Sequence, residues 1–160
     1  MSYFAGHAKD DHGRDSQLAK DDIVVILDID EVFIKPVTNK RIPNKDLQYR
    51  DQKEEEVTNV CAPGRPVGQM YGLGGIDWMD KNKLCGKGSP CSQTEGDGWT
   101  RYTVGPPLFI HQSDLKPLAD HWHEYTKPIF DTRPEQLCEM YAYMGGAANL
   151  ELKQAHISLA

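Results

Sequence analysis

The sequence predicts an α/β fold, and two observations carry that expectation. Ile23-Val24-Val25-Ile26-Leu27 is an unbroken β-branched and aliphatic run with no polar alternation. Such a run suits a strand buried on both faces, as in a parallel sheet covered by helices. Later in the chain Leu108-Phe109-Ile110 reads as a second buried strand, and helical periodicity follows it to near the end. Parallel-type strands interleaved with helices define the α/β class.

The organisation can be followed along the chain. Residues 1–20 are polar, with Gly6, Gly13 and several acids, and form an N-terminal segment distinct from a domain over 21–160. After the first strand, residues 38–57 are densely charged with little apolar period and read as a surface excursion. Glu54-Glu55-Glu56 within it is a solvated run. Residues 61–107 are rich in Gly and Pro; loops of that length shape a binding site or lack fixed order. Past the second strand, Asp114 suits an N-cap, with Pro117 in the first turn, where a missing N–H costs little. Leu115, Leu118, Ala119 and Trp122 then recur as the stripe of an amphipathic helix. A last helix is expected from Thr132-Arg133-Pro134-Glu135, which has capping-box spacing. It would run through Leu137, Met140, Tyr141 and Met144 and weaken at Gly145-Gly146.

Bulk properties narrow the function. A chain of 160 residues with 39% hydrophobic and 26% charged residues is globular in composition and can bury one ordinary core. Its mean hydropathy of -0.61 reflects long polar loops. A net charge of -6 argues against nucleic acid as a partner, since a phosphate-backbone binder needs a basic surface. No apolar run approaches the roughly 18–20 residues of a membrane span, and the first residues lack a signal-peptide apolar region. The four cysteines are Cys61, Cys85, Cys91 and Cys138. Cys85 and Cys91 flank a Gly-Lys-Gly-Ser-Pro turn that a disulfide could close, although four cysteines allow three pairings. No CxxC or paired-His spacing favours zinc instead.

The strongest chemical signal is Asp28-Ile29-Asp30, directly after the first apolar run. Paired carboxylates at the carboxyl end of a buried strand sit where α/β sheets bind ligands. As hard oxygen donors they suit manganese or magnesium, which a diphosphate can also ligate. The plainer reading is a strand end finished by solvated acids. A second chemistry uses the same letters: Asp28-Ile29-Asp30-Glu31-Val32 matches the nucleophile motif of haloacid-dehalogenase-type phosphatases, with Asp28 as nucleophile and Asp30 as acid/base. That motif calls for a downstream Gly-Asp-x-x-x-Asp, and Gly96-Asp97 comes nearest, with Arg101 where the second Asp belongs.

From about Asp22 to Leu152 the chain resembles the plant and algal peptidyl-serine α-galactosyltransferases and the related hydroxyproline arabinosyltransferases. The resemblance runs through Val24-Val25-Ile26-Leu27-Asp28-Ile29-Asp30 with Pro36, and through Gly64-Arg65-Pro66-Val67 with Tyr71. It continues in Gly105, Phe109-Ile110-His111, Asp114-Leu115-Lys116, Leu118-Ala119 and Trp122. Its most specific block is Glu139-Met140-Tyr141-Ala142-Tyr143, followed by Ala147-Ala148 and Leu150. The resemblance implies a GT-A (Rossmann-like) core, a UDP-sugar donor carrying galactose or arabinofuranose, and manganese held by Asp28 and Asp30. The acceptor would be Ser or hydroxyproline of a secretory glycoprotein, in the Golgi or endoplasmic reticulum lumen, with anomeric configuration retained and no inverting base.

On that reading Glu139 lies near the donor sugar as an orienting group or polar anchor; the plainer reading is an acid favoured by the helix dipole. Gly105 permits close backbone approach to the donor, against ordinary loop flexibility. His111 is a candidate diphosphate contact, against a histidine satisfied at a strand end. Asp77 and Trp78 are candidate acceptor contacts. Leu118, Trp122, Met140 and Tyr141 read as core rather than sugar-stacking groups. The sequence departs from the family at both ends. Only 27 residues precede Asp28, where a GT-A domain places a nucleotide-binding strand–helix–strand unit. The late His that supplies a third metal ligand aligns with Gln154, and His156 is the nearest substitute. The expectation is therefore a partial glycosyltransferase domain, with a catalytically inactive truncated paralogue as the non-enzymatic alternative.

Overall fold

The computed structural model describes residues 21–27, 61–134 and 137–157. They form a mixed α/β fold. The elements are β1 (Ile23–Ile26), β2 (Val67–Met70), α1 (Lys81–Cys85), α2 (Pro90–Gln93), a 3-10 helix (Gly96–Arg101), β3 (Val104–His111), α3 (Gln112–Thr132), α4 (Cys138–Asn149) and β4 (Ala155–Ile157). The four strands make one sheet in the order β1-β3-β2-β4.

β3 runs against both of its neighbours. Ile23 pairs with His111 and Ile26 with Leu108, while Gln69 pairs with Gly105 and Met70 with Val104. β4 pairs parallel to β2, with Ala155 opposite Val67. It follows that β1, β2 and β4 share one direction and β3 alone is reversed.

β1 differs from the doubly covered parallel strand its sequence predicts. Its described neighbour is antiparallel, and Val25 and Leu27 remain 37% and 47% exposed. The apolar run is nonetheless used on both faces. Ile26 packs against the main core under the helices, and Ile23 against a second cluster of Cys61, Val67, Phe109 and Ala155 on the other face.

The second predicted strand is present and longer, reaching from Val104 to His111, with a cis peptide between Pro106 and Pro107. α3 follows at once, and its cap differs from expectation. His111, in extended conformation, accepts the Ser113 N–H on Nδ1. Asp114 falls in the first turn and instead accepts the Gly64 N–H at 2.6 Å. That bond ties the Gly64-Arg65 turn before β2 to the start of α3; Gly64 has a φ of 72°, a conformation that glycine adopts without strain. Pro117 and Pro128 both lie inside α3, which continues past each. The predicted stripe does face inward, with Leu118 fully buried and Leu115 and Trp122 packed on the core.

Thr132 closes α3 rather than capping the next helix, and its hydroxyl bonds to the Pro128 carbonyl at 2.8 Å. α4 begins at Cys138 and does not weaken at Gly145-Gly146 but runs on to Asn149. The reason is packing. A Cβ at Gly146 would stand 3.1 Å from His121 Cβ, and one at Gly145 would stand 3.4 Å from Tyr125 Cδ2. The glycine pair thus lets α3 and α4 approach closely, offsetting glycine's poor helix propensity. α4 is buried without a break from Tyr141 to Ala148, as a central helix must be.

The Gly/Pro-rich stretch is ordered around one carboxylate. Asp77 accepts from Lys81 Nζ at 2.7 Å, from the Gly96 N–H at 2.9 Å and from Trp99 Nε1 at 3.1 Å. The Cys85–Cys91 disulfide joins α1 to α2.

Candidate functional site

The sheet directions define where a site can form. β1 and β2 flank β3 and run the same way, so both point toward the end of the sheet where β3 begins; β2 reaches it, with Met70 opposite Val104, while β1 stops at Ile26 opposite Leu108. Leu27, covalently attached to Asp28, follows β1, and Asp28 and Asp30 lie outside the described residues. Tyr71 follows the end of β2. The carboxyl ends of co-directional strands are where α/β folds collect ligands. That argument carries over to β1 through β2 and β4, although its described neighbour is reversed.

Gly105 sits at this margin, opposite Gln69. A Cβ at Gly105 would meet Tyr71 Cδ2 at 3.1 Å, with Tyr71 Cγ and Met140 Cε each at 3.4 Å. The Tyr71 ring and the Met140 thioether therefore pack on bare backbone, while Tyr71 keeps 42% of its surface exposed. Met140 belongs to the first turn of α4, so that turn is at the margin too. Glu139, its neighbour, is exposed in the same turn, where the helix dipole favours a carboxylate. The Cys138 thiol donates to Glu139 Oε2 at 3.5 Å.

Trp78 approaches the same turn. Its ring meets Tyr141 edge to face at 5.5 Å, and the Arg133 guanidinium lies over it at 5.4 Å. The Trp78 indole nitrogen is buried and has no hydrogen-bond acceptor. Asp77, beside it in sequence, is engaged otherwise. Partial desolvation pushes its pKa up, but the bonds from Lys81, Trp99 and Gly96 outweigh that and hold the carboxyl below its ordinary value. Its oxygens organise the loop between β2 and β3.

His111 is at the other end of β3. Six residues of strand at about 3.3 Å each separate it from Gly105, or about 20 Å. Its imidazole is buried and its Nδ1 lies 2.8 Å from the Ser113 hydroxyl. The structure thus brings Gly105 and the α4 turn with Glu139 to one margin, with Trp78 beside them, and sets His111 at the far end of β3; the end of β1, opposite Leu108, lies three residues along β3 from both Gly105 and His111. Gln154 donates to the Leu152 carbonyl and accepts from the Tyr143 hydroxyl at 3.1 Å. His156 is buried in β4 opposite Gly68.

The sequence reading assigned Tyr71 no role. The available signal was an aromatic residue just beyond Gly64-Arg65-Pro66-Val67, and what it lacked was the long-range partner Gly105. Among the described residues no group of three or more His, Cys, Asp or Glu gathers as a metal site. Nor is any described helix long and apolar enough to cross a membrane. The class these features define is a mixed α/β protein with a four-stranded mixed sheet. No family model, curated protein or solved structure matches the chain.

Proposed function

We propose that the chain is the metal- and donor-binding part of a GT-A-type glycosyltransferase, moving a sugar from a UDP-sugar to Ser or hydroxyproline with retained configuration. The observation that carries this reading is the shared direction of β1 and β2. It points β1, which ends just before Leu27 and Asp28, toward the end of the sheet that holds Gly105, Tyr71 and the first turn of α4 with Glu139.

The donor set of Asp28 and Asp30, two carboxylates one residue apart, fits manganese or magnesium. Bound there, the ion would screen the diphosphate and stabilise it as a leaving group. Gly105 is buried under the Tyr71 ring and Met140, so it seats that ring at the margin rather than meeting the donor itself. Glu139 offers an exposed carboxylate, held at a helix N-terminus, to the hydroxyls of the transferred sugar. Trp78 and its neighbours form the side on which an acceptor peptide would approach. The Cys85–Cys91 disulfide supports an oxidising lumen such as the Golgi or endoplasmic reticulum.

The phosphatase alternative gains nothing comparable. Its nearest downstream acid, Asp97, lies in the first turn of a 3-10 helix in which Arg101 occupies the last position. The test is calorimetric titration of UDP with and without manganese, on the native chain and an Asp28→Ala/Asp30→Ala variant. UDP binding that requires manganese and disappears in the variant is the expected result. Metal-independent binding, or none, would overturn the proposal.

A further inference from the structure

We propose that the Cys85–Cys91 disulfide is a redox latch on the segment between β2 and β3, closed when oxidised and opened by a dithiol. The latch does not depend on the transfer reading.

α1 and α2 have little of their own to hold them. Helices of five and four residues fall well short of the roughly 12–15 that are marginal in isolation, so tertiary contacts must fix them. α1 buries no residue completely, and the one buried residue of α2 is Cys91 itself. Beyond the partial burial of Leu84, the disulfide and Lys81 are what attach α1. Lys81 lies one turn before Cys85 on the same face of α1, and it too reaches α2, donating to the Thr94 carbonyl at the C-cap. The same ammonium donates to Asp77, which also gathers the Gly96 amide and the Trp99 indole. Trp78, next in the chain, packs edge to face on Tyr141 of α4. A change at the disulfide therefore passes through Lys81 and Asp77 toward Trp78 by direct contacts.

The chemistry suits reversal. Cys85 is partly exposed, with exposed Lys83 and Lys87 two residues to either side, whereas Cys91 is fully enclosed. The two lysines draw an anionic thiolate toward Cys85. That thiolate bonds to Cys85 Sγ as the S–S bond breaks, and Cys91 leaves and takes a proton. The dithiol's second sulfur then closes on its first, forming a disulfide of its own and freeing Cys85 as a thiol. Two electrons and two protons pass from the dithiol to the protein. An oxidising lumen keeps the latch closed.

Amide hydrogen exchange tests this on the native chain oxidised, reduced with dithiothreitol, and reoxidised by glutathione disulfide. Reduction should speed exchange at least about tenfold at Leu84, bonded to Asp80, at Gln93, bonded to Ser89, and at Gly96, bonded to Asp77. Leu150 of the α4 C-cap, bonded to Gly146, should keep its rate, and reoxidation should restore protection to the other three. Lys81→Met in the oxidised state should speed exchange at Gly96 and at the Trp99 indole, because it cuts the relay with the disulfide intact. No change on reduction would make the disulfide incidental. Equal acceleration at Leu150 would make it a staple of the whole fold, and protection that fails to return would make it no switch; each result overturns the latch. Unchanged exchange at Gly96 and Trp99 in Lys81→Met would overturn the relay to Asp77.

Discussion

Trp99 donates its indole N–H to Asp77 Oδ1 at 3.1 Å, and that bond anchors the segment between β2 and β3. Lys81 and the Gly96 amide converge on the same carboxylate. Trp99 is itself buried, so Asp77→Ala would leave its indole N–H without an acceptor as well as removing a charge-assisted contact with Lys81. Part of the Asp77 side chain remains in water, which limits the loss to about 1–2 kcal/mol. Folding lowers the Asp77 pKa, so its stabilisation is present at neutral pH and disappears as pH falls through the folded value, below the ordinary 3.8. Urea midpoints of native and Asp77→Ala protein should differ at about pH 7, and the difference should narrow as pH falls below the ordinary 3.8. A gap that persists at acid pH would show that the charge is not what matters.

Glycine substitutions should sort by what stands opposite them. A Cβ at Gly75 would fall 2.0 Å from Trp99 Cδ1, an overlap that must displace a buried ring, so Gly75→Ala is expected to cost about 3 kcal/mol. Gly145→Ala meets only ordinary contact at 3.4 Å and should gain up to about 1 kcal/mol from helix propensity. Gly146→Ala meets His121 Cβ at 3.1 Å with Trp122 backbone behind it, and there the contact cancels the propensity gain or exceeds it. The ranking of three denaturation midpoints checks this, and a Gly145→Ala variant less stable than Gly146→Ala would contradict it.

These positions also show what the sequence made legible. Periodicity located β3 and the buried stripe of α3, because Leu118 and Trp122 face the core through local helical geometry alone. It misplaced the cap and the break for reasons that are not local. Asp114 looks like an N-cap until Gly64, fifty residues away in the chain, takes its carboxylate. Gly145-Gly146 looks like a helix end until α3 lies across it. The 61–107 stretch looked loose because its order depends on Asp77, Trp99 and a disulfide rather than on repeating apolar residues. For the candidate site, motifs named Asp28, Asp30, Gly105, His111 and Glu139, but only the register along β3 separates Gly105 and the α4 turn with Glu139 at one end from His111 at the other, and Asp28 and Asp30 lie outside the described residues.

The cysteines should be separable by chemistry. Cys61 is buried beneath Phe109, and burial, with Asp114 adding to it, pushes its thiol pKa up to about 12. Cys138 is half-buried, and desolvation followed by the hydrogen bond and charge of Glu139 raises its pKa as well. A thiol-reactive disulfide reagent at about pH 8 should therefore label Cys138 slowly and Cys61 only on unfolding, since the thiolate is the reacting form. Reduction of Cys85–Cys91 should lower stability by about 2 kcal/mol, the chain-entropy value for so short a loop. Rapid labelling of two thiols in the unreduced native protein would contradict both assignments.

Glu139 ties the thiol chemistry to the proposed transfer, and one variant reads both. Glu139→Gln keeps the shape of the side chain at the start of α4 but removes its charge from beside Cys138. The Cys138 pKa should then fall toward its ordinary value, and labelling at fixed pH should accelerate severalfold. If Glu139 also orients the donor sugar, the same variant should lose on the order of 100-fold in turnover while manganese-dependent UDP affinity is unchanged, because misplacing a reacting group acts on the transition state rather than on the nucleotide. Faster labelling with full turnover would confine Glu139 to a local electrostatic role. Unchanged labelling with lost turnover would mean that the carboxylate turns toward the sugar and away from the thiol. Both changes together are what one carboxylate facing the margin and the thiol predicts.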